Sequence, residues 1–465
     1  MDPHSDTVNQ TLNRAGRAMR TLRDRPARAR VLEALASRLE AVRPELIALA
    51  SEETALTAAE LEPEFARAVG TLRMFAGLAR SSPVLAELHS PPEALPIGPN
   101  HDLRRVLVPI GPVAVFGASN FPLAYGVLGG DTASALAAGC AVVVKEHPAH
   151  PRLGRRLAAL AREACAPIAP DAVQYLDSLQ AHPDPRDHTL ARALLAHPAL
   201  AGVGFTGSVA GGVALAELAR ARPMPIPVYA EQGSLNPVVL LPGALEEATL
   251  DAAGALASSI LLRHGQQCTK PGLIVLVELD ALGGRGEAFE RALTAKLNAG
   301  PARRPLAPWI ASAYLARLRD CAPHAEPLVG ATQPTDGTTR PALLRARGAV
   351  HSTLLHETFG PSTVLVHARA DELPALLDLL PGSLTGTVWA SARERGGELF
   401  ALVMERRMAR AGRVIVNGVP TGVRVAPAMT HTGPWPASNH PEASAVGSAA
   451  VMRWLRPVTV QGTLP

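Results

Sequence analysis

One cysteine in this chain has the setting of a reagent. In RHGQQCTKPG, residues 263–272, Cys268 stands between Gln267 and Thr269, just ahead of a Pro-Gly step and the apolar run LIVLVE. Those polar neighbours suit neither a strand core nor a helix core, and the position falls in a loop between a helix and a strand. A thiolate in such a loop is a nucleophile for an electrophilic carbon, although a lone free cysteine more often fills a core. Cys140, Cys165 and Cys321 read as packing. No two of the four cysteines have a CxxC spacing, so no metal site is expected.

Four other stretches carry groups that could serve such a thiol. In YAEQGSLNP (229–237), Glu231 ends an apolar strand; it could activate a water against a thioester, or be an ordinary glutamate at a surface turn. In VAVFGASNFPLAYG (113–126), the Asn120 amide could donate to a developing oxyanion or close a turn. FTGSVAGG (205–212) reads as a glycine-rich strand-to-helix turn, with Gly207 and Ser208 offering backbone N–H groups to a phosphate; it is not GxGxxG. Lys145 in KEH ends a strand, within reach of a ribose or phosphate or else solvated. Glu357 and Phe359 in HETFGP occupy a turn.

These groups need a frame. Residues 6–80 carry apolar positions at helical spacing, with prolines marking breaks between helices, and residues 85–104 are proline-rich. Strands are then expected over 105–117, 141–147, 173–176, 202–207 and 228–231, alternating with helices. A second series covers 238–241, 273–278, 363–368, 386–390 and 413–417, with a helix over 247–265. Continuous apolar strands alternating with helices imply an α/β fold with parallel sheets covered on both faces. The stretch 421–447 reads as irregular, and the tail as a last strand that pairs with a neighbouring subunit.

Composition sets outer limits. A chain of 465 residues implies two or three domains. Aromatics are only 3%, so Ala, Leu and Val must do most of the packing. A formal charge of +4 without a basic stripe excludes nucleic acid as the expected partner; the arginines of RDRPARARV (23–31) read as a solvated helix face. There is no apolar leader and no run of 18 apolar residues, so no membrane partner is expected. With so few cysteines, the expected location is cytoplasmic.

The ordered series GASNFP, VVVKEHP, GFTGS, AEQG, GQQCT, ETFGP and RVIVNG resembles the aldehyde dehydrogenase superfamily over nearly the whole chain. Glu231 precedes Cys268 by 37 positions, near that family's usual spacing. The resemblance implies a Rossmann-type NAD(P)-binding domain over residues 1–235, with an oligomerisation hairpin near 95–110. It further implies an α/β catalytic domain over 236–435, and a segment 436–465 returning to the oligomerisation region of a homodimer or homotetramer. It makes Cys268 the nucleophile, Glu231 the general base and Asn120 the oxyanion donor. Lys145 would hold the adenine-side ribose, Gly207 and Ser208 the pyrophosphate, Glu357 the nicotinamide ribose and Phe359 the nicotinamide ring. An aldehyde would pass through a cysteine thiohemiacetal and a thioester to an acid.

The runs VFGASNFPLAYGVLGGDTASALAAGCAVVVKEHPAHP and AGRVIVNGVPTGVR resemble, within that family, the 2-oxoglutarate semialdehyde (2,5-dioxopentanoate) dehydrogenases. Pro148 stands where NAD-preferring relatives carry a glutamate for the ribose hydroxyls. A 2′-phosphate is then not repelled and can pair with Lys145, which favours NADP, with NAD also accommodated. There are departures. Arg263, His264 and Gln267 replace the Gly, Ala and aromatic residue of a GAGQFCT-like loop, and Glu442 falls where relatives carry an arginine. Arg263 and His264 either replace a lost cationic contact to the substrate or sit at a helix end on the surface. Another aldehyde, or cysteine-dependent ester hydrolysis without hydride transfer, are the alternative readings.

Overall fold

The computed structural model describes residues 3–92, 101–177, 179, 182, 184, 187–278 and 284–462. A helical layer comes first: α1 (Pro3–Ala18), α2 (Arg25–Ala41), α3 (Arg43–Thr54) and α4 (Ala58–Arg80). Pro26 and Pro44 sit in first turns, where a missing N–H costs nothing. Pro63 lies inside α4 and does not end it. A capping box starts α4: the Thr57 hydroxyl accepts from the Glu60 N–H at 3.3 Å, and the Glu60 carboxylate accepts from the Thr57 N–H at 2.9 Å.

Strands β1 (Leu88–Ser90) and β2 (Leu103–Pro109) lead into β3 (Val113–Phe116), β4 (Val142–Lys145), β5 (Val173–Leu176), β6 (Gly202–Thr206) and β7 (Val228–Glu231). Helices α5 (Gly130–Ala138) and α6 (Pro151–Cys165) link β3 to β4 and β4 to β5. These five strands are parallel in the order β5-β4-β3-β6-β7. The order reverses between β3 and β6, which puts a crevice outside their carboxyl ends. Asn120 and Ser208 follow those two ends.

The second sheet uses β8 (Val238–Leu240), β9 (Leu273–Glu278), β10 (Ala325–Val329), β11 (Ala342–Ala346), β12 (Ser362–Arg369), β13 (Ser383–Trp389) and β14 (Ala411–Val416). Its order is β10-β11-β12-β9-β8-β13-β14, and only β10 runs antiparallel to its neighbour. The last strand, β15 (Leu455–Gln461), pairs with β2 of its own chain, in a three-stranded antiparallel sheet ordered β1-β2-β15. Of the hairpin expected near 95–110, residues 95–100 lie outside the described residues. No helix among the described residues is long and apolar enough to cross a membrane. Nor do they contain a group of three or more His, Cys, Asp or Glu side chains able to hold a metal.

Two buried arginines lock this frame. Arg28, expected on a solvated face, is buried instead; its guanidinium donates to the carbonyls of Leu22 at 2.5 Å, Arg23 at 3.2 Å and Ala137 at 3.3 Å, joining α2 to α5. Arg453 pairs with Asp131 of α5, while the adjacent Trp454, fully buried, donates from Nε1 to Ser134 Oγ at 2.8 Å. Removing one partner of a buried ion pair strands the other in a medium that solvates it poorly. Arg453→Met is therefore expected to destabilise the protein by about 3–5 kcal/mol, read as an earlier denaturant transition. Unfolding indistinguishable from wild type would mean that Asp131 is not held as a buried charge.

Candidate active site

The helix Thr249–Leu261 ends in a single turn, Leu262–Gly265, in which Arg263, His264 and Gly265 are all left-handed (φ 51°, 54° and 65°). Gly265 is required there twice over: its φ is positive, and a Cβ would collide with the Gly360 carbonyl, where the ETFGP segment crosses the loop. Asn236 holds the far side. Its Nδ2 donates to the carbonyls of Cys268 at 2.7 Å and Lys270 at 3.0 Å. Its Oδ1 accepts from Ser234 Oγ at 2.7 Å, Thr385 Oγ1 at 3.0 Å and Thr385 N–H at 3.2 Å. Between these anchors, the Gln266 carbonyl accepts from Asn120 Nδ2 at 2.9 Å, and Gln266 Oε1 accepts from the Leu306 N–H at 2.9 Å. The motifs around Asn120, Asn236, Cys268 and Gly360 thus meet in space.

Cys268 keeps an accessible face, and its Sγ lies 3.7 Å from His431 Nε2. Burial pushes the thiol up to about 12; the Glu357 and Glu231 charges add to this, while Arg67 opposes it. Burial, with Arg67 and Arg413 nearby, drives His431 down to about 3, so the imidazole is neutral at working pH. Glu231 is buried at the end of β7, bridged to Ser438, and has one oxygen without a partner. Burial raises its carboxyl to about 8; Asp131 adds to the rise, and Arg453 and a hydrogen bond from Thr432 oppose it. A thiol, an amide donor and a carboxyl poised near neutrality therefore share one region.

The second group of sequence-selected residues lines the carboxyl ends of the five-stranded sheet. Ser208 caps the helix Val209–Arg220, its hydroxyl accepting from the Gly211 N–H at 3.1 Å, and Gly207 leads into that turn. Lys145, at the end of β4, is half-buried, with its pKa lowered by burial. Glu146 turns away, taking hydrogen bonds from Tyr175 Oη and from the Leu179 N–H at 3.2 Å. Pro148 follows, and His150 donates to the Ala118 carbonyl at 3.2 Å, tying this turn to the Asn120 loop. Glu357 lies against Gly233, where a Cβ would fill the space beside its carboxylate. Burial raises the Glu357 carboxyl and lowers the Lys270 ammonium, each opposed by the other's charge. Phe359 packs partly buried at the edge of the first domain's core. The neighbouring Gln232 amide is buried with neither polar atom partnered. A capped helix N-terminus, a lysine at a strand end, a carboxylate over a glycine and an unpaired amide fit a dinucleotide.

One expectation needs correction. Arg263 and His264 are neither substrate contacts nor surface residues at a helix end. Both are buried, Arg263 against Glu64 and His264 against Thr339 Oγ1 at 2.7 Å. Glu442, where relatives carry an arginine, is exposed and takes a hydrogen bond from His440 at 2.8 Å. Gln267 turns its amide back onto the Leu262 carbonyl at 3.1 Å. The residues missed from sequence are Arg67, Arg413 and His431. Arg413 stood within RVIVNG, but nothing in a strand motif marks the residue that faces a thiol. His431 lay in the irregular stretch 421–447, which has no periodicity to read.

The chain matches a family model described as the aldehyde dehydrogenase family over residues 2–454. It is 41% identical over 449 residues to alpha-ketoglutaric semialdehyde dehydrogenase 2 of Azospirillum brasilense, covering 94% of this chain and 82% of that one. It is 35% identical over 461 residues to alpha-ketoglutaric semialdehyde dehydrogenase of Acinetobacter baylyi, with the same coverage, 94% and 82%. Among solved structures, proline utilization A of Bradyrhizobium japonicum superposes with a TM-score of 0.81 at 22% identity, over 98% of this chain and 45% of that longer one. A 1-pyrroline-5-carboxylate dehydrogenase gives 0.81 at 20% identity, over 98% and 86%. At those identities the two structures share the fold.

A thiol held near 12 is almost entirely protonated at neutral pH. Alkylation of Cys268 by iodoacetamide in the cofactor-free protein should therefore climb about tenfold per pH unit from roughly pH 7 to pH 10. A plateau near neutrality would show instead that the site favours the thiolate.

Proposed function

The chain belongs to the aldehyde dehydrogenase family and is an NAD(P)-dependent aldehyde dehydrogenase; on that premise we propose that it oxidises 2-oxoglutarate semialdehyde (2,5-dioxopentanoate) to 2-oxoglutarate, with NADP preferred over NAD. The observation that carries the substrate is a pair of arginines beside the nucleophile. Arg67 on α4 and Arg413 on β14 each lie close enough to Cys268 and to His431 for their charges to bear on both. Arg67 donates to Tyr125 Oη at 2.6 Å and lies over its ring at 5.1 Å. Arg413 donates to the carbonyls of Gly422, at 2.9 Å, and Pro420. Both guanidiniums are thus fixed in place, with further N–H groups for a carboxylate. An aldehyde carrying a carboxylate at its far end satisfies thiol and cations together; an aliphatic one leaves two half-buried cations uncompensated. The two relatives at 41% and 35% identity act, by name, on alpha-ketoglutaric semialdehyde, the same compound.

In this mechanism the Cys268 thiol gives its proton to solvent water, the thiolate sulfur attacks the aldehyde carbon, and negative charge grows on the carbonyl oxygen. Asn120 gives one amide hydrogen to Gln266 and keeps the other for that oxygen. A nicotinamide dinucleotide, when bound, supplies the hydride acceptor. Lys145, Gly207, Ser208, Glu357 and Phe359 would hold it. Pro148 and the turned-away Glu146 place no carboxylate against a ribose 2′-phosphate, which supports NADP. Glu231 then takes a proton from the water that hydrolyses the thioester. Residues 1–235 would bind the cofactor and 236–435 carry the nucleophile. Segment 436–465 would return to the β1-β2-β15 sheet, through which a homodimer or homotetramer would form.

The test is kcat/KM for 2-oxoglutarate semialdehyde and for hexanal, each with NADP and with NAD. The oxo-acid aldehyde with NADP is expected to be the best pair. Arg67→Met and Arg413→Met should each raise its KM about 10- to 100-fold, with hexanal changed only a few-fold. Equal losses on both aldehydes would remove the carboxylate contact from the account. A base must be ionised to act, and the Glu231 carboxyl stands near 8. Turnover limited by deacylation should therefore fall as pH drops through about 8. Glu231→Gln should abolish that limb while sparing the first burst of reduced cofactor; an unchanged profile would assign the base elsewhere.

A further inference from the structure

Arg263 is a charged residue in a conformation that only glycine adopts without cost. Its φ is 51° and ψ 36°, and His264 follows at 54° and 38°. For an L-residue with a Cβ, each such step brings the Cβ too close to the following carbonyl oxygen and is strained. Strain of this kind persists where the surroundings over-determine it, and the side chain of Arg263 shows what the conformation achieves. The residue is only 5% exposed. Its Nη2 lies 2.6 Å from Glu64 Oε2 and 2.8 Å from the Asn120 carbonyl oxygen; its Nη1 donates to the Glu60 carbonyl at 3.0 Å; and its guanidinium carbon stands 4.3 Å from the centre of the Phe121 ring.

Glu64, on α4, completes the grip. Its other oxygen, Oε1, accepts from the N–H groups of Leu123 at 2.7 Å and Ala124 at 3.0 Å. The segment 120–124 is therefore held at three backbone atoms and one ring face by a single buried ion pair. Asn120 Nδ2 returns to the Gln266 carbonyl. This closes a circuit from Arg263 through Asn120 to a residue two positions before Cys268. We propose that Arg263 and Glu64 are a positioning pair that fixes the Asn120 amide against the Cys268 loop and so sets the geometry of the oxyanion site. This rests on the reading that Cys268 attacks the aldehyde and Asn120 receives the oxyanion.

Single variants would leave one buried charge unpaired, so the test uses Arg263→Gly combined with Glu64→Gln, which removes both charges and the left-handed strain. The expected result is a thermal midpoint near wild type, a KM within a few-fold, and a pre-steady-state burst of reduced cofactor slowed about 100-fold. Alkylation of Cys268 by iodoacetamide develops no oxyanion, and its rate should be unchanged. In an Asn120→Ala background the same pair of substitutions should add little further loss, because the pair acts through Asn120. Arg263→Lys retains the charge but lacks the fork to the Asn120 carbonyl, and should give an intermediate burst rate in a folded protein. A full-speed burst in either variant, alkylation slowed in parallel with the burst, or losses that multiply with Asn120→Ala would each overturn the proposal. Failure of the underlying reading would look different: Asn120→Ala alone would leave the burst intact, or Cys268→Ala would still turn over.

Discussion

A buried chain segment without regular secondary structure must still pair nearly every polar group it carries, and the cysteine loop is such a segment. The carbonyls of Cys268 and Lys270 go to Asn236, that of Gln266 to Asn120, and that of Leu262 to the Gln267 side chain. The Lys270 ammonium goes to the Ser362 carbonyl at 2.6 Å. These partners come from the loop after β3, the link between β7 and β8, and the start of β12. The loop therefore takes its shape only when both parallel sheets are in place. Bringing the Asn120 amide beside Cys268 is a consequence of satisfying the backbone. The left-handed turn at 263–265 and the close crossing at Gly360 are the local costs.

The same burial sets the electrostatics. Two negative charges side by side, a thiolate and a carboxylate, would be poorly solvated here. Burial keeps the Cys268 thiol and the Glu231 carboxyl protonated further up the pH scale than either would be in water. His431 stays neutral for the complementary reason, being buried between two arginines. Beside Cys268 and His431 the positive charge of Arg67 and Arg413 is guanidinium, which does not lose its proton in proteins. The resting site thus holds neutral reagents flanked by fixed cations, an arrangement suited to an anionic substrate.

Much of this was legible in the sequence where one kind of signal sufficed. VQYL and LIVLVE form strands over the residues expected, because a continuous apolar run in a parallel sheet needs no partner to be recognised. The strands AEPLV and ALLRA passed unread, since proline, alanine and arginine interrupt any β-rich pattern. Cys268, Glu231 and Asn120 stood out through their motifs. Arg67 did not: on a helical period it resembles the other arginines of α4, and the face it shares with the nucleophile is set by tertiary packing. Arg263 read either as a cationic contact to the substrate or as a helix-end residue, where cations are favoured; its partner Glu64 lies in a distant helix, and no local pattern announces a buried pair. Glu442 was placed by counting along an irregular stretch, where register carries no direction.

The central claim is that Cys268 becomes acylated and Glu231 brings the water that releases the acid. The most direct measurement is mass spectrometry of Glu231→Gln after brief incubation with 2-oxoglutarate semialdehyde and NADP. The account predicts a thioester adduct on the Cys268 peptide, dependent on the cofactor and lost on treatment with hydroxylamine. An adduct on another residue, or none while reduced cofactor accumulates, would contradict it.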